Sequence, residues 1–195
     1  MIHFKTLIIG VVGLIVAVTS GCMAEEASKT VDDILGRSYQ EMKVSSTSIN
    51  EANRLLTQTV AQKKQNEPQG DNLSPALSFD EVEGANCYAI YMFDKTANHW
   101  LHWRAIVTNA TDLEQGAYTE TKDYIGPYPP KSRDHSYCIE VYALKHKPTN
   151  EIGKMDGTNS YEKVVKALDH VNDESGNILG YGSVTGYYKH GDMTK

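Results

Sequence analysis

Cys87-Tyr88-Ala89-Ile90-Tyr91-Met92-Phe93-Asp94 is apolar at every position but its last. A run that is apolar on both faces reads as an interior strand, covered above and below. A second strand is expected over His99–Thr108 and a third over Ser136–Leu144. Between them lie a polar stretch, Asn109–Lys122, and a stiff loop, Gly126-Pro127-Tyr128-Pro129-Pro130. Asp94, His102, His135 and Tyr137 all stand at the edges of these apolar runs, where a sandwich brings polar side chains into one pocket.

His135 and Tyr137 are two apart, so in a strand they share a face roughly 7 Å apart. Ile139 and Val141 continue that face inward, which places the polar pair at its mouth. A histidine and a phenol there offer an N–H and an O–H donor aimed one way. Strict alternation turns His102 away from Leu101 and Trp103, alongside Trp100 and Arg104. Three prolines lock the loop, leaving Gly126 and Tyr128 as its backbone donors. Asp94 is expected to orient a histidine and favour its cationic form. Taken singly, each feature has a plain structural reading: edge residues, aromatic packing, a stiff turn, a strand-ending carboxylate. A single pocket for a small anion accounts for all of them together. No metal-ligand spacing, nucleophile elbow, P-loop or dinucleotide fingerprint occurs, so neither a metal nor a cofactor is expected.

The 195 residues suit one domain, and a formal charge of −6 argues against a nucleic-acid partner. Lys5, the apolar run Leu7–Val18 and Thr19-Ser20-Gly21-Cys22 have the layout of an export signal. Gly21-Cys22 resembles a bacterial lipobox, with Thr19 as a departure where leucine is usual. The expected organisation is a signal peptide over 1–21, a lipid-attached tether over 22–41, and a folded domain over 42–195. Lipidation of Cys22 would hold an acidic body at the outer face of a bacterial membrane. Plain secretion and an uncleaved anchor are the alternatives. Cys87 and Cys138 fall at different depths of their strands, so both are expected as free thiols.

Thr30 with Asp33 caps a short helix within Thr30–Met42. Ser48-Ile49-Asn50-Glu51 is a second capping pattern, followed by Ile49, Ala52, Leu55, Leu56 and Val60 at helical spacing; Thr57, Gln58 and Thr59 suit an extended edge equally. Gln62–Asn72 is a polar loop. Asn159 and Glu162 predict a helix running through Val171, with Val164, Val165, Leu168 and Val171 as its buried stripe. Ile178–Tyr188 is a last apolar segment.

Asn72-Leu73-Ser74-Pro75, Tyr91-Met92-Phe93-Asp94, His99-Trp100-Leu101-His102-Trp103, Tyr124–Pro130 and His135-Ser136-Tyr137 occur in a specific order. In that order and spacing the chain resembles the phosphatidylethanolamine-binding protein family, in its bacterial Raf kinase inhibitor-like (YbhB/YbcL-like) branch. The resemblance covers Asn72–Leu144, and loosely the end at Gly186-Tyr187-Tyr188; Met42–Gly70 fits poorly. It implies a mainly β (α+β) antiparallel sandwich with a large central sheet, a smaller sheet and a C-terminal helix. It also implies a phosphate-type anion pocket at Asp94, His102, Gly126, His135 and Tyr137. Lys95 and Thr96 replace the Pro and second Asp of the family's Asp-Pro-Asp, adding a cation at the rim. The implied function is a membrane-tethered binder of a small phosphorylated ligand or phospholipid headgroup, not an enzyme. The alternatives are an inhibitor or scaffold for a protein partner, and a hydrolase using the Asp/His pocket.

Overall fold

The computed structural model describes residues 29–62, 70–131 and 133–192. The leader, Cys22 and most of the Gln62–Asn72 loop lie outside the described residues.

The interior strand forms where its pattern demanded. This strand, β4 (Cys87–Asp94), is buried at all eight positions. Tyr88, Ile90 and Met92 enter one core, while Cys87, Ala89, Tyr91 and Phe93 enter a second on the other face. β4 lies between β5 (Trp100–Val107) and β7 (Asp134–Leu144), antiparallel to both. β10 (Ile178–Lys189) pairs antiparallel with β7, and β1 (Gln40–Glu41) joins β10 in parallel. The resulting five-stranded mixed sheet has the order β1-β10-β7-β4-β5.

A second sheet of β2 (Val44–Ser45), β3 (Leu77–Phe79) and β6 (Asp112–Leu113) packs on one face. Leu77 and Phe79 meet Tyr88, Ile90, Ile139 and Val141 in the first core. β6 falls within the predicted polar loop, two residues being too short to show a period. The opposite face is covered by α1 (Val31–Leu35) and α2 (Tyr161–Asp169). Val31, Val164, Val165 and Leu168 fill the second core against Tyr91 and Leu144. Two short strands, β8 (His170–Val171) and β9 (Glu174–Ser175), connect α2 to β10.

Several expectations need correcting at the element ends. Thr30 and Asp33 form the capping box of α1, but Gly36 stops the helix in the left-handed region at φ 60°. Val31 is buried and β1 joins the main sheet, so the folded body begins upstream of Met42. Ser160, not Asn159, caps α2; the Asn159 amide instead ties together Lys154 and Gly157. Val171 lies in β8, beyond the helix.

The segment after Ser48 forms neither the helix nor, over Thr57–Thr59, the extended edge. The Ser48 hydroxyl accepts from Ala76 N and is unavailable as a cap. Asn50 Oδ1 accepts from Ala52 N and Arg54 N, closing a local turn that competes with helix. Leu55 N then donates to Tyr187 O, laying the segment along β10. A short 3-10 turn over Thr57–Thr59 follows. Cys87 and Cys138 are both buried free thiols; Cys87 faces Leu144 at one end of the sheet and Cys138 faces Phe93 near the other.

Leu55 is wholly buried in the first core, so Leu55→Ala should lower stability by about 2–5 kcal/mol. Urea unfolding reads this directly. A loss below about 1 kcal/mol would mean that the segment does not seal the core.

Candidate functional site

Antiparallel pairing sets Asp94 directly across from Tyr137. His135 follows two positions along β7 on the same face. His102 arrives by a different route. Met92 pairs with Trp103 and Phe93 with Leu101, so His102 is the extra residue of a β-bulge. The bulge breaks the expected alternation. Leu101 turns to the second core and Trp103 to the first, while His102 turns to the side of Tyr137, ring centroids 5.3 Å apart.

These four side chains line one cavity of about 170 Å³, with Ala97, Trp100, Tyr128, Pro129 and Pro130 as its walls. Gly126 does not line it. The Gly126 N–H, expected among the anion donors, is donated to Asn72 Oδ1 at 2.9 Å. A Cβ on Gly126 would sit 2.2 Å from Thr59 O, so glycine is needed there for close backbone approach.

Both oxygens of Asp94 accept hydrogen bonds from named neighbours. Oδ1 accepts from Thr96 N (2.9 Å) and Ala97 N (3.0 Å); Oδ2 accepts from His135 Nδ1 (2.6 Å). The carboxylate can only accept here, so it fixes the proton on Nδ1. His135 Nε2 and the Tyr137 hydroxyl are buried and have no hydrogen-bond partner in the protein. Buried polar atoms are usually satisfied, so two orphans lining one cavity mark the place where a ligand would complete them. In a neutral ring His135 Nε2 is an acceptor, and it becomes a donor only on protonation.

His102 Nδ1 donates to Ile125 O at 2.8 Å, and Ile125 N donates back to His102 O. Burial lowers the ring below its ordinary imidazole value, against the opposing pull of the Ile125 carbonyl, Asp94, Asp156 and the Gly126 backbone. A carbonyl can only accept, so the Nδ1 hydrogen of His102 is directed at Ile125 and not into the cavity. Burial, then the charge of Asp94 and the phenol's approach to it as an acceptor, push the Tyr137 phenol far up, so it stays protonated.

Other residues escaped the sequence reading. Asp156, in the left-handed region at φ 53°, accepts from the Tyr128 hydroxyl and from Trp100 Nε1, joining two walls of the cavity. Nothing in the charged Lys145–Thr158 stretch singles it out. His99, beside His102 in sequence, goes to the opposite face and stacks on Tyr161 at 4.9 Å. Lys95 follows it, not to the rim. With Asp94 facing the cavity, alternation sends Lys95 behind the sheet, where Nζ donates to buried Glu140 at 2.7 Å. Among the described residues no cluster of three His, Cys, Asp or Glu side chains could hold a metal ion.

The sequence profile described as "Phosphatidylethanolamine-binding protein" matches residues 45–189, which take in β3 to β10 and every residue of the cavity. The chain belongs to the phosphatidylethanolamine-binding protein family. Two solved structures share its fold. Escherichia coli YbcL, described as a member of the mammalian PEBP family, is 23% identical with a TM-score of 0.56, covering 76% of this chain and 98% of its own. A putative phosphatidylethanolamine-binding protein homologue from Chlamydia trachomatis is 21% identical with a TM-score of 0.58, covering 77% and 98%. No curated protein matches significantly.

Burial lowers the pKa of both His99 and His102, so the unfolded chain binds more protons than the fold below the ordinary imidazole value. Their contribution is present above that value and lost as pH falls through it. The slope is at most about 1.4 kcal/mol per pH unit for each ring. Stability from urea unfolding should fall between about pH 7.5 and about pH 5.5, and His102→Phe should flatten the slope. A wild-type stability that is level or rises on acidification would contradict the neutral rings.

Proposed function

We propose that this protein binds a small phosphate-type anion, free or as a phospholipid headgroup, in the cavity of Asp94, His102, His135 and Tyr137. The observation that carries the reading is the pair of buried orphans, His135 Nε2 and Tyr137 OH, lining one cavity. Asp94 keeps the Nδ1 proton in place, so a second proton on His135 must go to Nε2, where it makes a charged donor toward the anion. The cavity wall carries no serine, threonine, cysteine or lysine nucleophile, and the Tyr137 phenol is held protonated. These features support binding over turnover. Among the described residues Tyr187 is the exposed large hydrophobic side chain, so the cavity rather than an apolar patch is the natural recognition surface.

The binding domain would be held at the outer face of a bacterial membrane by lipid on Cys22, on the strength of Gly21-Cys22 after the short apolar run. Among the described residues no helix is long and apolar enough to cross a membrane. In cells, Cys22→Ala should leave an unlipidated protein that moves out of the detergent phase. An unchanged detergent partition and an unchanged mass of the mature N-terminus would remove the anchor from the proposal.

Calorimetric titration with phosphate or phosphoethanolamine tests the cavity. His135→Ala should cost about 1.5–3 kcal/mol of affinity, the range for a hydrogen bond to a charged group. His102→Ala should also weaken binding, since its ring packs on both Tyr128 and Tyr137 in the cavity wall. His170→Ala, exposed on β8, should bind like wild type. Equal affinities across all four proteins would end the reading.

A further inference from the structure

The formal charge of −6 is unevenly placed over the fold. The cavity lies at one end of the large sheet, where β4 and β10 finish and β5 and β7 begin. Lys131 follows the prolines of the cavity wall, Arg133 precedes the first residue of β7, and Lys189 pairs with Asp134 at the last position of β10. Lys154 stands in the loop whose Met155 and Thr158 run beside Leu101 and Trp100. All four cations are exposed. Of the carboxylates at this end, Asp134 and Asp192 accept from Arg54, and Asp156 accepts from Tyr128 and Trp100. Glu51, exposed in the turn before Arg54, is a further one. The far end of the sheet has the opposite sign. Asp80, Glu81 and Glu83 crowd the loop into β4, and Asp173 and Glu174 the hairpin before β10, against Lys43, Lys145 and Lys147.

The chain also enters the fold from the basic end. Lys29 Nζ donates to Glu162 at 3.1 Å, in the first turn of α2. The neighbouring Tyr161 stacks on His99 at 4.9 Å and has Lys95 Nζ 3.9 Å from its ring centroid, and these two residues flank the turn between β4 and β5. Six residues separate Lys29 from Cys22, and seven extended steps span at most about 25 Å. From the charge polarity and this point of entry we propose that the end of the sandwich around the cavity mouth docks on an anionic lipid surface, with Lys131, Arg133, Lys154 and Lys189 on the headgroups. The tether half of the argument rests on the lipid-anchor reading above; the charge half does not. Exposed cations are drawn to anionic headgroups only within about a Debye length, so an acidic protein binds through cations gathered at one end. Trp100 and Tyr128, half-buried at the cavity rim, are amphipathic aromatics suited to a headgroup boundary. A lipid on Cys22 keeps the domain near the bilayer, and the basic end turns the cavity mouth toward it.

The test is co-sedimentation of residues 23–195 with vesicles. This chain contains every described element but neither the apolar leader nor Cys22, so its binding comes from the folded surface and not from an anchor. At low salt it should sediment with mixed phosphatidylcholine–phosphatidylglycerol vesicles and not with phosphatidylcholine alone, and added salt should release it. Lys131→Gln, Arg133→Gln and Lys189→Gln together should weaken binding at least about tenfold, each lost cation being worth about fivefold. Lys43→Gln, Lys145→Gln and Lys147→Gln together make the same change in net charge at the acidic end and should bind like wild type. His135→Ala should also bind like wild type, since the surface acts outside the cavity. Failure of the wild type to bind anionic vesicles in a salt-sensitive way overturns the inference. An equal loss in the two triple variants does so as well, because net charge and not the basic end would then be the cause. Loss in His135→Ala with none in the basic-end variant assigns the lipid contact to the cavity; the docking surface then falls while the anion site stands. Tighter binding to polyglutamate than to the anionic vesicles assigns the surface to an acidic protein and removes the lipid.

Discussion

The hydrogen bond from His135 Nδ1 to Asp94, 2.6 Å long and closed off from water, joins the two central strands at the floor of the cavity. A buried carboxylate is costly unless it is hydrogen-bonded, and Asp94 gathers three donors. Two come from the turn that follows β4, and the third is the histidine. The end of the strand, the shape of the turn and the tautomer of His135 are therefore set by one group. Removing either partner of such a pair leaves the other buried and unmatched, a loss of about 3–5 kcal/mol for a charged group.

The same turn is tied on its other side. Lys95 N donates to Ser136 O, and Thr96 Oγ1 accepts from Ser136 N, so the turn grips β7 immediately beside His135. Behind the sheet, Glu140 accepts from Lys95 Nζ, Tyr142 OH and Tyr161 OH, with Lys95 Nζ also 3.9 Å from the Tyr161 ring centroid. Where the resembled family motif carries proline and a second aspartate, this chain carries Lys95 and Thr96, and both are used in holding the turn. An ion pair and a hydroxyl supply a restraint that a proline ring supplies through its fixed φ. The cavity thus has its walls on one face of the sheet and part of its support on the other.

Much of this was readable in one dimension. The three central strands, the pairing of His135 with Tyr137 on one face, and the partnership of Asp94 with a histidine all follow from period-two alternation and the position of polar residues at strand ends. The α1 capping box was legible because Thr30 and Asp33 act locally. The helix expected after Ser48 was not, because Ala76 takes the Ser48 hydroxyl and Tyr187 takes the Leu55 N–H. Those partners lie 28 and 132 positions away in the chain. A capping pattern names a capable residue, while tertiary contacts decide what it caps.

The order of apolar runs and their polar ends by itself determined a sandwich with histidines, a phenol and a carboxylate at one edge, because burial and alternation are properties of neighbouring residues. Only the tertiary structure decided what those groups offer. A bulge set His102 beside Tyr137 instead of away from Trp103. The Ile125 carbonyl accepts the hydrogen bond of His102 Nδ1, and Asn72 Oδ1 accepts that of the Gly126 N–H. Donor and acceptor roles belong to pairs of groups, and the pairs here are formed between segments that meet only when the chain is folded.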